Sequence, residues 1–170
     1  MITIRNYTEN DSQEVGCLIA DTYSEFNLSF ASSENQSLML GPFRYARSSD
    51  PVHQAAIADI LQSPIFLVAE IEDGVKTEIA GVLRGRKERL ASLFVRKDYH
   101  HQGIGRKLVE TFEAEMIALS VSLIRVKATQ YAVPFYRKMG YQKSTGLRNS
   151  WSFDGYGLPS QPMKKKLIGN

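Results

Sequence analysis

The stretch that most limits how this chain can fold runs from Leu93 to Arg106, LFVRKDYHHQGIGR. Apolar strand-formers give way to a polar turn, and two glycines then open an apolar stripe of Ile104, Leu108, Phe112, Met116 and Leu119 at helical spacing. The stretch therefore reads as strand, tight turn, helix. Amides at a helix N-terminus lack intrahelical acceptors, and the macrodipole adds partial positive charge there. Glycines let the backbone curl and let a ligand approach. This pattern suits a phosphate, with Arg106 and Lys107 adding charge. The dinucleotide fingerprint is excluded, because Leu108 stands where its third glycine belongs, and no P-loop pattern occurs.

The remaining elements alternate around that unit. Ile2–Arg5 alternates like a strand, and a helix is expected from an Asp11 N-cap, with Val15, Leu18, Ile19 and Tyr23 as its stripe. Residues 27–49 show no period. Asp50-Pro51 is an N-cap with proline at the first helical position, and it opens a helix that buries Ile57, Ile60 and Leu61. Strands are expected over Ile65–Ile71, Lys76–Arg84 and Glu88–Val95, with turns short enough to make an antiparallel meander. A helix over Ile104–Leu119 leads to a strand over Leu123–Ala128 and a short helix over Tyr131–Met139 that ends at Gly140. Two strands close the chain, near Tyr141–Ser144 and Pro162–Ile168. Lys164–Lys166 is expected to be a solvated strand edge. The order predicts an α/β (α+β) domain spanning residues 1–170, with a mixed sheet and helices on both faces.

Composition narrows the classes. The chain has 170 residues, 43% apolar and 23% charged, which suits one water-soluble domain. A lone cysteine, Cys17, excludes an internal disulfide framework and a multi-Cys zinc site. The longest apolar run, Ile65–Ala69, is far short of the ~20 residues that span a bilayer. With no signal pattern at the start, these features predict a cytoplasmic protein without membrane contact. Residues 1–60 hold three basic residues against eight acidic ones, while residues 84–107 hold eight basic residues against Glu88 and Asp98. The basic segment attracts an anion; a nucleic acid is the weaker reading, because no nucleic-acid signature appears.

A second segment, Ala132-Val133-Pro134-Phe135-Tyr136-Arg137-Lys138-Met139-Gly140-Tyr141, places adjacent aromatics on a short helix before a glycine and a strand. Together the two segments resemble the GNAT superfamily of acyl-CoA-dependent N-acyltransferases. Gln102 to Arg106 and their lead-in look like that family's [QR]-x-x-G-x-[GA] motif, and Ala132–Tyr141 looks like its A-x-x-F-Y-x-K-x-G-[FY] segment. The resemblance runs from about Ile65 to Tyr141 and implies a GNAT-like, mostly antiparallel sheet. It implies acetyl-CoA as cosubstrate, no metal, and transfer of an acetyl group to a primary amine of a small molecule or peptide. Main-chain groups of Leu93, Phe94 and Val95 would bind the pantetheine arm, and the amides of His101, Gln102, Gly103, Ile104, Gly105 and Arg106 the pyrophosphate. Thr129 stands where many members carry an Asn that reaches the pantetheine. His100 replaces the usual Gln or Arg and His101 a common glycine, so a titrating ring is expected beside the pyrophosphate.

Tyr136 is the family-like position for the acid that protonates the thiolate. Helical spacing puts Phe135 on the buried face with Ala132 and Met139, and Tyr136 roughly 100° away with an exposed hydroxyl. The base is open between Glu88, Glu70, His53 and water. Tyr23, Phe26, Phe30, Phe43, Tyr45, Trp151, Phe153 and Tyr156 are expected to line an amine pocket, with the acidic N-terminal third drawing in a cation. A homodimer is compatible with the sequence. A catalytically silent acyl-CoA-binding module of the same fold is the alternative function.

Overall fold

The computed structural model describes residues 1–168. β1 (Ile2–Asn6) pairs antiparallel with β2 (Ile65–Glu72), setting Ile4 opposite Ala69. β2, β3 (Thr77–Arg86) and β4 (Arg89–Val95) form the expected antiparallel meander, with Val82 opposite both Val68 and Phe94. Helix α4 (Ile104–Ala118) crosses over to β5 (Leu123–Thr129), which makes β4 and β5 a parallel pair. β5 pairs along its length with β8 (Gly155–Lys166), and β8 also holds the two-residue β6 (Gln142–Lys143) and β7 (Arg148–Ser152). The result is one eight-stranded, mostly antiparallel sheet.

Helices cover both faces. On one, Leu108, Phe112 and Met116 of α4 bury against Leu67, Leu83, Ile124 and Met163, with α5 (Val133–Lys138) beside them. Leu119, expected on the same stripe, lies past the helix end and is exposed. On the other face, α1 (Ser12–Thr22) and α3 (Pro51–Ile60) bury Leu18, Ile19, Ile57 and Leu61 against Val68 and Val82. Each such side chain contributes ~1.5–3 kcal/mol of burial. The Asp50 carboxylate accepts the Val52 N–H at 2.9 Å, as the sequence predicts. Asp11 does not cap α1: its carboxylate accepts from the Thr8 amide at 2.8 Å and from Arg5.

Three differences from the expected elements matter. Residues 27–49, read as structureless, contain α2 (Ser33–Leu40), capped by Ser32 and buried only at its end through Met39 and Leu40. A helix so polar along its length leaves no periodic signal. The closing strand begins seven residues early, at Gly155, and forms a hairpin with the unexpected β7. Pro159 and Pro162 hide that strand, because proline normally argues against a central position. Lys164–Lys166 therefore lies inside the sheet rather than at an edge, with Lys165 Nζ 2.7 Å from Glu113 Oε2.

One feature of the sheet prepares the site. β4 and β5 pair only at Arg89–Arg125 and Leu90–Val126. Beyond that point they splay, so the β5-facing edge of β4 from Ala91 to Val95 has no partner strand.

Candidate active site

The turn after β4 builds an amide cradle. A 3₁₀ turn over Lys97–Tyr99 uses the His100 amide, which donates to Lys97 O at 3.1 Å. His101 (φ 61°) and Gly103 (φ 81°) then both adopt the left-handed conformation. A histidine pays a steric cost there that a glycine does not, and left-handed residues in such turns aim successive N–H groups into a common concavity. The amides of His101 to Arg106 have no protein acceptor among the described residues, and no side chain caps α4. These six donors meet the helix dipole at one place, which fits a pyrophosphate. Gly103 has open space where a Cβ would stand.

The two sequence segments touch. A Cβ at Gly105 would lie 3.3 Å from Phe135 Cε2, so the glycine lets α5 lie against the start of α4. The expected orientation of the aromatic pair is reversed: Tyr136 is the buried residue of α5, 4% exposed, and Phe135 is half-buried. The physical reason is the splay. Tyr136 enters the gap between β4 and β5, a space a helix packed on an unbroken sheet would not offer.

That gap is a cavity of about 220 Å³. Its walls are Ala91 to Phe94 of β4 and Val126 to Thr129 of β5. Ala132 and Tyr136 border it on the α5 side, and Tyr23, Asn27, Phe43, Ser152 and Phe153 on the side of α1 and α2. The Tyr136 hydroxyl has no protein hydrogen-bond partner among the described residues, and desolvation raises its pKa well above the ordinary phenol value. It is therefore a neutral O–H donor. Across the cavity, Ser152 Oγ donates to Met39 O at 2.7 Å. Its single proton is thus committed, so the Tyr23 hydroxyl, 2.6 Å away, must donate to Ser152. Burial raises the Tyr23 pKa as well. Tyr23 follows α1 in one π-helical turn over Tyr23–Asn27, which also brings Asn27 Nδ2 within 2.6 Å of Thr129 Oγ1.

The expected side chains are only partly gathered here. Leu93, Phe94 and Thr129 line the cavity. The Val95 carbonyl accepts from His100 Nε2 at 2.8 Å, which fixes the proton on that nitrogen. The His100 ring thus turns back onto β4 and packs on Phe26 at 4.8 Å between centroids. None of the expected bases lines the cavity. Glu88 sits in the exposed turn between β3 and β4, Glu70 binds Arg5 at 2.7 Å, and His53 stacks on Tyr45 and bonds Ser48 Oγ at 2.7 Å. Of the aromatics, Tyr23, Phe43 and Phe153 reach the cavity; Trp151 and Tyr156 pair with each other on the surface, and Phe30 is exposed.

The lining holds no carboxylate or imidazole; its ionisable groups are Tyr23, Tyr136, Arg84 and Lys127. The acidic N-terminal third therefore does not supply the pocket with anions. Arg84, Ser92, Asn27 and Ser152 were not identifiable from the sequence as site residues. Their only signal was Arg84's place in the basic segment. Among the described residues no group of His, Cys, Asp or Glu side chains is placed to hold a metal ion, and no helix is long and apolar enough to cross a membrane.

Comparison with known proteins agrees with this architecture. The family model described as an acetyltransferase (GNAT) domain matches residues 43–167. No curated protein sequence matches. Among solved structures, a GCN5-related N-acetyltransferase from Rhodopseudomonas palustris is similar with a TM-score of 0.77 at 22% identity, covering 97% of this chain and 95% of that one. The PaiA N-acetyltransferase from Thermoplasma acidophilum, solved with coenzyme A, gives 0.67 at 18% identity over 98% and 99%. YncA from Salmonella typhimurium, a putative acetyltransferase solved with acetyl-CoA, gives 0.61 at 14% over 100% and 96%.

Proposed function

The chain belongs to the GNAT acetyltransferase family, whose members are acyl-CoA-dependent N-acyltransferases, and from that premise we propose that it acetylates a primary amine of a small molecule or peptide. The observation that carries this reading is the cavity at the splay, which has Tyr136 on one side and Tyr23, Arg84 and Ser152 on the other. Acetyl-CoA, when bound, supplies the activated acetyl group. The open edge of β4 at Leu93 and Phe94 offers main-chain groups to an extended pantetheine arm, as an added strand would use them. The amides of His101 to Arg106 hold the pyrophosphate. An N–H of β4 facing the gap stabilises the oxygen that gains charge as the amine attacks.

Proton handling follows from the lining. The neutral Tyr136 hydroxyl delivers a proton to the departing thiolate. With no carboxylate or imidazole in the cavity wall, the amine loses its proton to water. A cytoplasmic setting accords with the acetyl-CoA such a reaction consumes.

Thiol release from acetyl-CoA, measured against a panel of primary amines, tests the proposal. Release that depends on an amine supports it. Acetyl-CoA binding with no release for any amine would instead favour the silent acyl-CoA-binding module.

A further inference from the structure

Arg84 is a cation without a counter-ion. It extends from β3 on the face that carries α1 and α3, opposite Ser92 of β4. Its Nη1 donates to Ile60 O, at the C-terminus of α3, at 2.8 Å, and its Nε donates to Ser92 Oγ at 3.1 Å. The guanidinium's other N–H donors have no protein acceptor, and no carboxylate lies within ion-pair distance of it among the described residues. Other buried or half-buried cations of the chain are matched: Arg5 by Asp11 and Glu70, Arg96 by Glu14, Lys165 by Glu113.

A guanidinium cannot shed its proton to escape burial, so an unpaired one in a cavity wall carries a standing desolvation cost. Burial alone pushes the Arg84 pKa down, with no neighbouring charge opposing it. Ser92 accepts from Arg84, which leaves its own O–H free to donate. Ser92 directly precedes Leu93 on the open edge of β4, so both donors lie one residue from the segment expected to flank the thioester. Lys127 adds a second positive charge to the same lining, and no lining residue is negative.

We propose that Arg84 and Ser92 form a subsite for an anionic group on the acceptor, and that the acceptor is an amine carrying a carboxylate, such as a free amino acid. A planar guanidinium pairs well with a carboxylate, and a charge-assisted hydrogen bond from Ser92 would complete the contact. A polyamine meets only positive charge here and is disfavoured. This inference rests on the acyltransfer reading and adds the substrate class to it.

The test compares free α- and ω-amino acids with their carboxamides under saturating acetyl-CoA, for wild type, Arg84→Met and Arg84→Lys. The carboxamides of the α series have the less basic, more readily deprotonated amine, so a preference for those acids does not arise from amine ionisation. Wild type is expected to favour the acids in kcat/KM by tenfold or more. The acid-to-amide ratio should collapse towards unity in Arg84→Met and survive in part in Arg84→Lys. Because each ratio is internal to one protein, reduced folding of a variant leaves it readable, and the wild-type comparison needs no variant. Turnover with no preference for the acids, or a preference that persists in Arg84→Met, overturns the subsite. Failure of both series to release thiol overturns the acyltransfer reading instead.

Discussion

Asn27 Nδ2 donates to Thr129 Oγ1 at 2.6 Å and so ties the turn after α1 to the end of β5, across the mouth of the splay. Phe26 and Tyr131 stack beside that bond with centroids 5.1 Å apart. The helical side of the cavity is thereby held to the strand side at a place where the sheet itself offers no hydrogen bonds.

Breaking that bond should loosen the cofactor side of the cavity. A hydrogen bond of this kind contributes ~0.5–1.5 kcal/mol, so Thr129→Val should raise the KM for acetyl-CoA by ~2–10-fold. Asn27→Ala should do the same. The double variant should be little worse than either single one, since both remove one interaction. Fully additive effects would show that the two side chains act separately.

The amide cradle depends on Gly103 in a left-handed conformation, with open space at its Cβ position. Gly103→Val there adds backbone strain of ~1–3 kcal/mol and places a branched side chain among the amides of His101 to Arg106. Acetyl-CoA affinity, followed by calorimetry, should fall tenfold or more, ~1.4 kcal/mol. Unchanged affinity in a folded variant would place the pyrophosphate elsewhere.

Acid sensitivity should reside partly in the Arg5 cluster. The Arg5 guanidinium hydrogen-bonds Asp11 at 2.8 Å and holds its carboxyl below the ordinary aspartate value. The folded protein therefore binds this proton less readily than the unfolded chain. The stabilisation is complete above the unfolded value, about 3.9, and is lost as pH falls through the lower native one. Thermal melts between about pH 5 and 2 should show Arg5→Met losing less stability on acidification than wild type. Parallel profiles would contradict this assignment.

Lys165 and Glu113 form a largely buried pair behind Tyr141, with the second carboxylate oxygen of Glu113 lacking a partner. Removing only the cation strands a buried anion. Lys165→Met should therefore destabilise by up to ~3 kcal/mol in denaturant melts, and adding Glu113→Gln should restore much of the loss. A larger loss in the double variant would refute the pairing.

Much of the scaffold was legible because local rules governed it. Asp50-Pro51 starts α3, Gly140 (φ 89°) ends α5, and the glycines of Gln102–Arg106 open α4, all for backbone reasons visible in a few residues. The site was less legible because its features are non-local. Whether Tyr136 faces solvent or the gap depends on where β4 and β5 part, which no helical periodicity encodes. Arg84 counted only as one charge in a basic segment until the fold brought Ile60 O and Ser92 to it without a carboxylate. The base candidates failed for the converse reason: Glu70 and His53 found partners distant in sequence or on another helix, and Glu88 lies in a turn.

The central claim is that the buried, neutral Tyr136 hydroxyl gives its proton to the thiolate in a cavity that joins both faces of the sheet. Single-turnover transfer from acetyl-CoA to an accepted amine, comparing wild type with Tyr136→Phe, tests it most directly. Because removing the hydroxyl leaves the ring in place, the Phe variant should fold, bind acetyl-CoA with unchanged affinity and form N-acetyl product ~10²–10⁴-fold more slowly. Product formed at the wild-type rate, with the chemical step limiting, would contradict it.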